Sequence, residues 1–223
     1  MEHVGHPFPD QIGQRLDHPE EVDAKYQHLI ADDQQRVARI LSFKVCGRVL
    51  DVGCSDGAIT RRIAERWDVK ILGVDTYDGM GGQWAARLHK NMSYERWDVR
   101  MRSVDLAGGF DAVYGCEVLE HLTDADAATA LQNMLAVLRS GGDLIVTVPN
   151  RNCAERYVAG CRDRWKWPDH RSVWTANKLF DFLRPHFPCF RNGIRGNIEF
   201  VPLYDGERAE ESIWLIVRAR GKR

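Results

Sequence analysis

Two stretches of this 223-residue chain concentrate residues able to do chemistry. The first is Val49-Leu-Asp-Val-Gly-Cys-Ser-Asp-Gly57. An apolar run delivers the backbone to a sharp turn, where Gly53 and Gly57 lack the Cβ atoms that would block close approach of another group. The amides that open the next helix face whatever lies over the turn. The dinucleotide fingerprint GxGxxG would occupy the same place, but this turn lacks its spacing, which argues against a nicotinamide-dependent dehydrogenase. An acid ahead of the first glycine, Asp51, suits a cofactor with a positive amino-acid end rather than a pyrophosphate. The second stretch is Glu117-Val-Leu-Glu-His121. If it begins a helical turn, Glu117, Glu120 and His121 share one face. Such a face could bind a divalent cation or supply a general base.

Positioning these groups needs a regular frame, and the hydrophobic pattern supplies one. Apolar runs at 48–52, 69–74, 92–98, 110–114 and 143–148 read as strands, and helical patterns fall between them, including 124–139. Strands alternating with helices predict a parallel sheet covered on both faces. Gly141 and Gly142 punctuate the chain before the fifth strand, and Pro149 stops it. Helical spacing returns at Leu179, Phe182 and Leu183, and a hairpin of 194–203 and 212–219 would finish the sheet with an antiparallel edge. Ahead of the first strand, residues 1–18 read as an irregular arm. Two helices are expected within 19–45, one holding Val22, Tyr26, Leu29 and Ile30 and the other Val37, Ile40 and Leu41.

The formal net charge of -1 provides no global pull toward nucleic acid or membrane. No apolar stretch reaches a membrane-spanning length, and the N-terminus has no secretory pattern, so a cytoplasmic protein is expected. Six cysteines at 46, 54, 116, 153, 161 and 189 form no CxxC pair and read as reduced thiols. Residues 150–172 break the rhythm and read as a lid insertion. Within 151–171, six Lys or Arg against three acids are interleaved with Tyr157, Trp165 and Trp167. That composition could stack and neutralise a nucleotide or an anionic aromatic, or could form a solvated cover packed on the core.

The turn Asp51-Val-Gly53-Cys54-Ser55-Asp56-Gly57 resembles motif I of class I S-adenosylmethionine-dependent methyltransferases, usually written D-x-G-x-G-x-G. Its middle glycine is Ser55 here, which a backbone angle compatible with serine would tolerate. The resemblance spans roughly 48–150 and implies a Rossmann-like α/β fold: a mostly parallel seven-stranded sheet with an antiparallel edge strand and helices on both faces, forming one domain over 19–223. It implies S-adenosylmethionine as cofactor, with Asp75 holding the ribose hydroxyls, since a carboxylate can accept two hydrogen bonds from a vicinal diol. Asp98 falls where the family contacts the adenine amino group, and the implied cofactor site also takes in Asp51, Gly53, Cys54, Ser55, Gly57, Thr76 and Cys116.

The Glu117–His121 segment is similar to an EVxEH motif of ubiquinone-pathway O-methyltransferases and small-RNA 2′-O-methyltransferases. In the latter, a later histidine before an aromatic–threonine pair completes a metal site, and Asp169-His170-Arg-Ser-Val-Trp174-Thr175 matches that arrangement. The resemblance thus implies an enzyme with His121 and Glu117 as catalytic candidates. Glu117, Glu120, His121 and His170 become candidate ligands for magnesium or manganese. The same cluster could instead act as a metal-free base or be structural. A small hydroxylated metabolite or sugar is the first expectation for the acceptor, and an RNA 3′ end the alternative. A cofactor-binding protein without catalysis is the rival class, and oligomeric state is left open.

Overall fold

The computed structural model describes residues 27–76, 89–102, 109–152, 170–187 and 198–221. The arm expected at 1–18, the start of the N-terminal helical region, the basic and aromatic stretch at 153–169, Cys153, Cys161, Cys189 and the beginning of the hairpin lie outside the described residues.

Helix α1 (Gln27–Ser42) precedes β1 (Gly47–Val52), α2 (Ala58–Arg66), β2 (Val69–Asp75), β3 (Met92–Arg96) and β4 (Phe110–Cys116). A 3-10 turn (Leu119–His121), α3 (Asp124–Val137), β5 (Leu138–Pro149), α4 (Ala176–Leu183), β6 (Ile198–Val201) and β7 (Trp214–Arg220) follow. The seven strands lie in the order β3-β2-β1-β4-β5-β7-β6. β1 to β5 are mutually parallel, while β7 runs antiparallel to both β5 and β6. The expected antiparallel hairpin therefore closes the sheet, and its reversed strand is β7, one place in from the margin.

Alternation along each buried strand divides the core into two layers, because successive side chains point to opposite faces. Leu50, Val52, Val113 and Val146 pack with Ala127, Leu131 and Met134 of α3 and Leu179 and Leu183 of α4. Val49, Ala112, Tyr114 and Ile145 pack on the other face with Val37 and Ile40 of α1 and Ile59 and Ile63 of α2. Helix α3 starts where Thr123 accepts a hydrogen bond from the amide of Asp126, with acids at 124 and 126 favourable to the helix dipole.

Two boundaries differ from the sequence pattern. The apolar positions assigned to two helices ahead of β1 include Ile30 and Val37, yet both lie in the continuous helix α1. No glycine or proline interrupts 27–42, so nothing breaks the helix there. Helix α3 ends at Val137 and passes directly into β5, and Gly141 and Gly142 lie inside that strand's span rather than before it. The register against β4 shifts between Phe110 and Ala112, where Gly141 takes φ 77°. The glycines thus absorb a bulge instead of ending an element.

Candidate functional site

The chain leaves β1 toward β2 and β3 on one side, while β4 and β5 lie on the other. In an open parallel sheet such a reversal opens a crevice beyond the carboxyl ends of the two neighbouring strands. The turn after β1 and the turn after β4, the two chemically rich stretches of the sequence, meet at that crevice.

The β1 turn is held by its backbone. The amides of Gly53 and Cys54 both donate to the Val74 carbonyl, at 2.8 and 3.1 Å, and Gly57 donates to the carbonyl of Cys54 at 2.8 Å. Gly53, Ser55 and Gly57 take φ values of 69°, 49° and 76°. Ser55 thus does not relax into an ordinary backbone angle as expected; it occupies the left-handed region that glycine would fill without strain. At Gly53 a Cβ would stand 2.5 Å from Cγ2 of Val118, so this glycine lets the β1 turn abut the loop after β4.

The candidate cofactor side chains fall in three places. Ser55, Asp75 and Thr76 lie together at the crevice: Asp75 Oδ2 accepts the Ser55 amide at 2.9 Å, and Thr76 Oγ1 is 3.4 Å from Asp75 Oδ1. Asp98 lies beyond β3, where Arg100 donates to it through its backbone amide and guanidinium, at 2.6 to 3.1 Å. Those hydrogen bonds hold the Asp98 carboxyl below the usual carboxylate range. Asp51, Cys54 and Cys116 are buried instead. Asp51 faces α2, where Thr60 Oγ1 donates to it at 2.6 Å, so its carboxylate lies under the turn rather than at the positive end of a cofactor. Burial pushes its carboxyl up to about 7, against the opposing effect of the Thr60 hydrogen bond. Burial also pushes the Cys54 and Cys116 thiols up, so both stay uncharged at neutral pH.

The second stretch departs from the expected shared helical face. Glu117 takes φ 57°, and the chain then forms a 3-10 turn rather than an α-turn. The Glu117 carboxylate accepts hydrogen bonds from Thr147 Oγ1 at 2.9 Å and Trp214 Nε1 at 2.8 Å. Its Oε1 also lies 3.7 Å from the guanidinium of the buried Arg36. Glu117 is thereby turned toward β5, β7 and α1. The group that does assemble is Glu120, His121 and His170, whose nearest ligand atoms all lie within 4.8 Å of one another. The two imidazoles stand edge to face with centroids 4.9 Å apart, and Glu120 is buried. The amides of Arg171 and Ser172 both donate to the Glu120 carbonyl, at 2.7 and 3.1 Å, which straps the His170 segment onto the 3-10 turn.

Residues 49–142, which include both stretches and the strands between them, match the family model of a methyltransferase domain. Over those residues the chain carries a methyltransferase domain. Among curated relatives it is 32% identical over 139 residues to a ubiquinone biosynthesis O-methyltransferase of Psychrobacter cryohalolentis, covering 59% of this chain and 51% of that protein. It is 33% identical over 110 residues to the human mitochondrial ubiquinone biosynthesis O-methyltransferase, covering 47% of this chain and 29% of that protein. The chain thus spans about half or less of the curated relatives it matches. The fold is shared with the N-methyltransferase NodS of Bradyrhizobium japonicum WM9, solved with S-adenosyl-L-homocysteine (TM-score 0.61, 23% identity, 95% of this chain and 99% of that one). It is also shared with the small RNA methyltransferase HEN1 (TM-score 0.64, 21% identity, 84% of this chain and 25% of that one). No described helix is long and apolar enough to cross a membrane.

Around this methyltransferase domain the structure adds residues that the sequence pattern did not single out. Arg36 is buried, paired with Asp33 at 3.2 Å, and lies 5.0 Å from the ring centre of Trp214. Its signal was available: Asp33, Arg36, Val37 and Ile40 recur at helical spacing, so two charges lie on the apolar stripe of α1. Thr60, which bonds Asp51, and Ser172, which joins the His170 strap, carry no comparable signal, because each acts on a residue from another element.

Proposed function

We propose that this chain transfers the methyl group of S-adenosylmethionine to a hydroxyl of a small hydroxylated metabolite or sugar, with His121 taking the hydroxyl proton. The observation that carries this reading is the grouping of His121 with Glu120 and His170 beside the cofactor turn. The turn fits the cofactor: Gly53 and Gly57 carry no Cβ at the turn, and Asp75 and Thr76 offer oxygens at the end of β2 for the ribose hydroxyls. The similarity to ubiquinone biosynthesis O-methyltransferases supports a hydroxyl as the acceptor.

The chemistry is an in-line displacement. With S-adenosylmethionine bound at the turn, the acceptor oxygen would take the methyl carbon, and the carbon–sulfur bond broken would leave a neutral thioether. The acceptor proton passes to His121, and from there to water once product leaves. The cofactor supplies an already activated methyl group. The protein's share is to orient the acceptor, an effect that can contribute roughly 7–11 kcal/mol, and to receive the proton.

His170 beside His121 favours a second reading: metal-assisted 2′-O-methylation of an RNA 3′ end. Glu120, His121 and His170 offer one carboxylate and two imidazoles, a donor set that suits a divalent ion such as manganese and, less well, magnesium. A bound ion would lower the pKa of the acceptor hydroxyl.

Labelled S-adenosylmethionine tested against catechols, quinols, glycosides and RNA 3′ ends separates these readings. The expected result is transfer to a small hydroxylated acceptor that survives exhaustive chelation and collapses in His121→Ala. Activity lost to EDTA and restored by manganese would favour the second reading. Failure of calorimetry to detect S-adenosylmethionine binding would overturn both.

A further inference from the structure

We propose that Ser172 is a positioning residue that sets His170 against His121, an inference that rests on the Glu120–His121–His170 group being the acceptor-activating site. Ser172 is buried two residues beyond His170. Its hydroxyl donates to the Leu119 carbonyl at 2.9 Å and accepts the indole N–H of the buried Trp174 at 2.9 Å. Its amide donates to the Glu120 carbonyl beside that of Arg171. One side chain and its backbone therefore bond both residues that precede His121 in the 3-10 turn.

The rest of the strap is anchored at a distance. The Arg151 amide donates to the Trp174 carbonyl at 2.9 Å, and Trp174 forms a parallel bridge with Asn150. The Asn150 side chain in turn donates to the carbonyls of Glu210 and Ser212. Trp174 is thus held by the end of β5 and the β6–β7 connection, and its indole presents a fixed donor to Ser172. The hydroxyl transmits that fixed position to the carbonyl of Leu119. Without it, both histidines and the two backbone hydrogen bonds to the Glu120 carbonyl remain, but the link between the indole and the turn is cut.

The test compares Ser172→Ala, Ser172→Thr and Trp174→Phe in the full chain. Ser172→Ala is expected to lower kcat by roughly ten- to a hundredfold, the scale of an ångström-sized misplacement, with KM for S-adenosylmethionine unchanged. Ser172→Thr, which keeps the hydroxyl, is expected to restore most of that loss, and Trp174→Phe to fall between the two. A readout independent of turnover is the imidazole NMR signals of His121 and His170. These should move in Ser172→Ala and return in Ser172→Thr. Imidazole signals unchanged in a folded Ser172→Ala variant overturn the proposal even if no acceptor has been found. If the signals move while His121→Ala retains full activity, the positioning stands and the functional reading of the site fails. If Ser172→Ala does not fold, imidazole signals in Trp174→Phe identical to wild type overturn it.

Discussion

Ser55 holds a left-handed backbone angle of 49° and donates its amide to the Asp75 carboxylate at 2.9 Å, tying the turn after β1 to the end of β2. A residue with a Cβ in this conformation costs roughly 1–2 kcal/mol relative to its ordinary angles. Ser55→Gly is expected to remove that cost, less the extra chain entropy of glycine, for a net gain of about 0.5–1 kcal/mol. The amide–carboxylate bond survives the change, so affinity for S-adenosylmethionine should stay within about twofold, since about 1.4 kcal/mol would be needed for tenfold. Urea denaturation and calorimetry check the two parts, and a destabilised Ser55→Gly variant would refute the strain.

Gly53 meets a protein wall rather than open space. An added Cβ would come within 2.5 Å of Val118 Cγ2, at a residue whose φ is 69°. Gly53→Ala is expected to destabilise by about 1–3 kcal/mol, the usual range for overpacking. Val118→Ala in the same chain should return part of that loss, because the clash is with a side chain and not with backbone. A double-mutant cycle on stability measures the coupling, expected at about 0.5–3 kcal/mol. Strict additivity would show that the positive φ alone makes the position intolerant.

Asp51 imposes a pH dependence on stability. Its carboxyl titrates at about 7 in the folded chain, raised by burial, and near 3.9 when unfolded. Between those values the folded state holds a proton that the unfolded state releases. Stability from this residue is therefore fully present below about pH 4 and is lost as pH rises through about 7. Asp51→Asn keeps an acceptor for Thr60 but cannot ionise. The variant should gain a few kcal/mol on wild type between about pH 5 and pH 8, because each tenfold difference in proton affinity between the two states is worth about 1.4 kcal/mol. Parallel stability curves for the two proteins across that interval would mean that Asp51 ionises freely in its buried place.

Much of the frame was legible from local pattern. The apolar runs ending at Val52, Val74 and Tyr114 appear as β1, β2 and β4, and the sharp turn expected at Gly53–Gly57 follows β1. Where local pattern misled, a neighbour from another element decided. Glycines that read as a break became a bulge because β4 continues alongside β5. Asp51 has a clear position in the motif, but that its side chain falls on the face that α2 covers, bonded to Thr60, depends on the packing of that helix.

The amino-acid sequence by itself determined the order of the strands, the glycine turn that follows β1 and the acid at the end of β2. Each of these depends on residues adjacent in the chain, through alternation, turn geometry and strand ends. Only the tertiary structure decided which side chains face one another around His121. Helical spacing would have grouped Glu117 with Glu120 and His121, but a left-handed Glu117 followed by a 3-10 turn sends its carboxylate to Thr147 and Trp214 instead. The place beside His121 goes to His170, which the family resemblance grouped with it and which a distant segment strapped to the carbonyl of Glu120 delivers. That pairing depends on backbone hydrogen bonds between separate elements, which the spacing of side chains along one element does not encode.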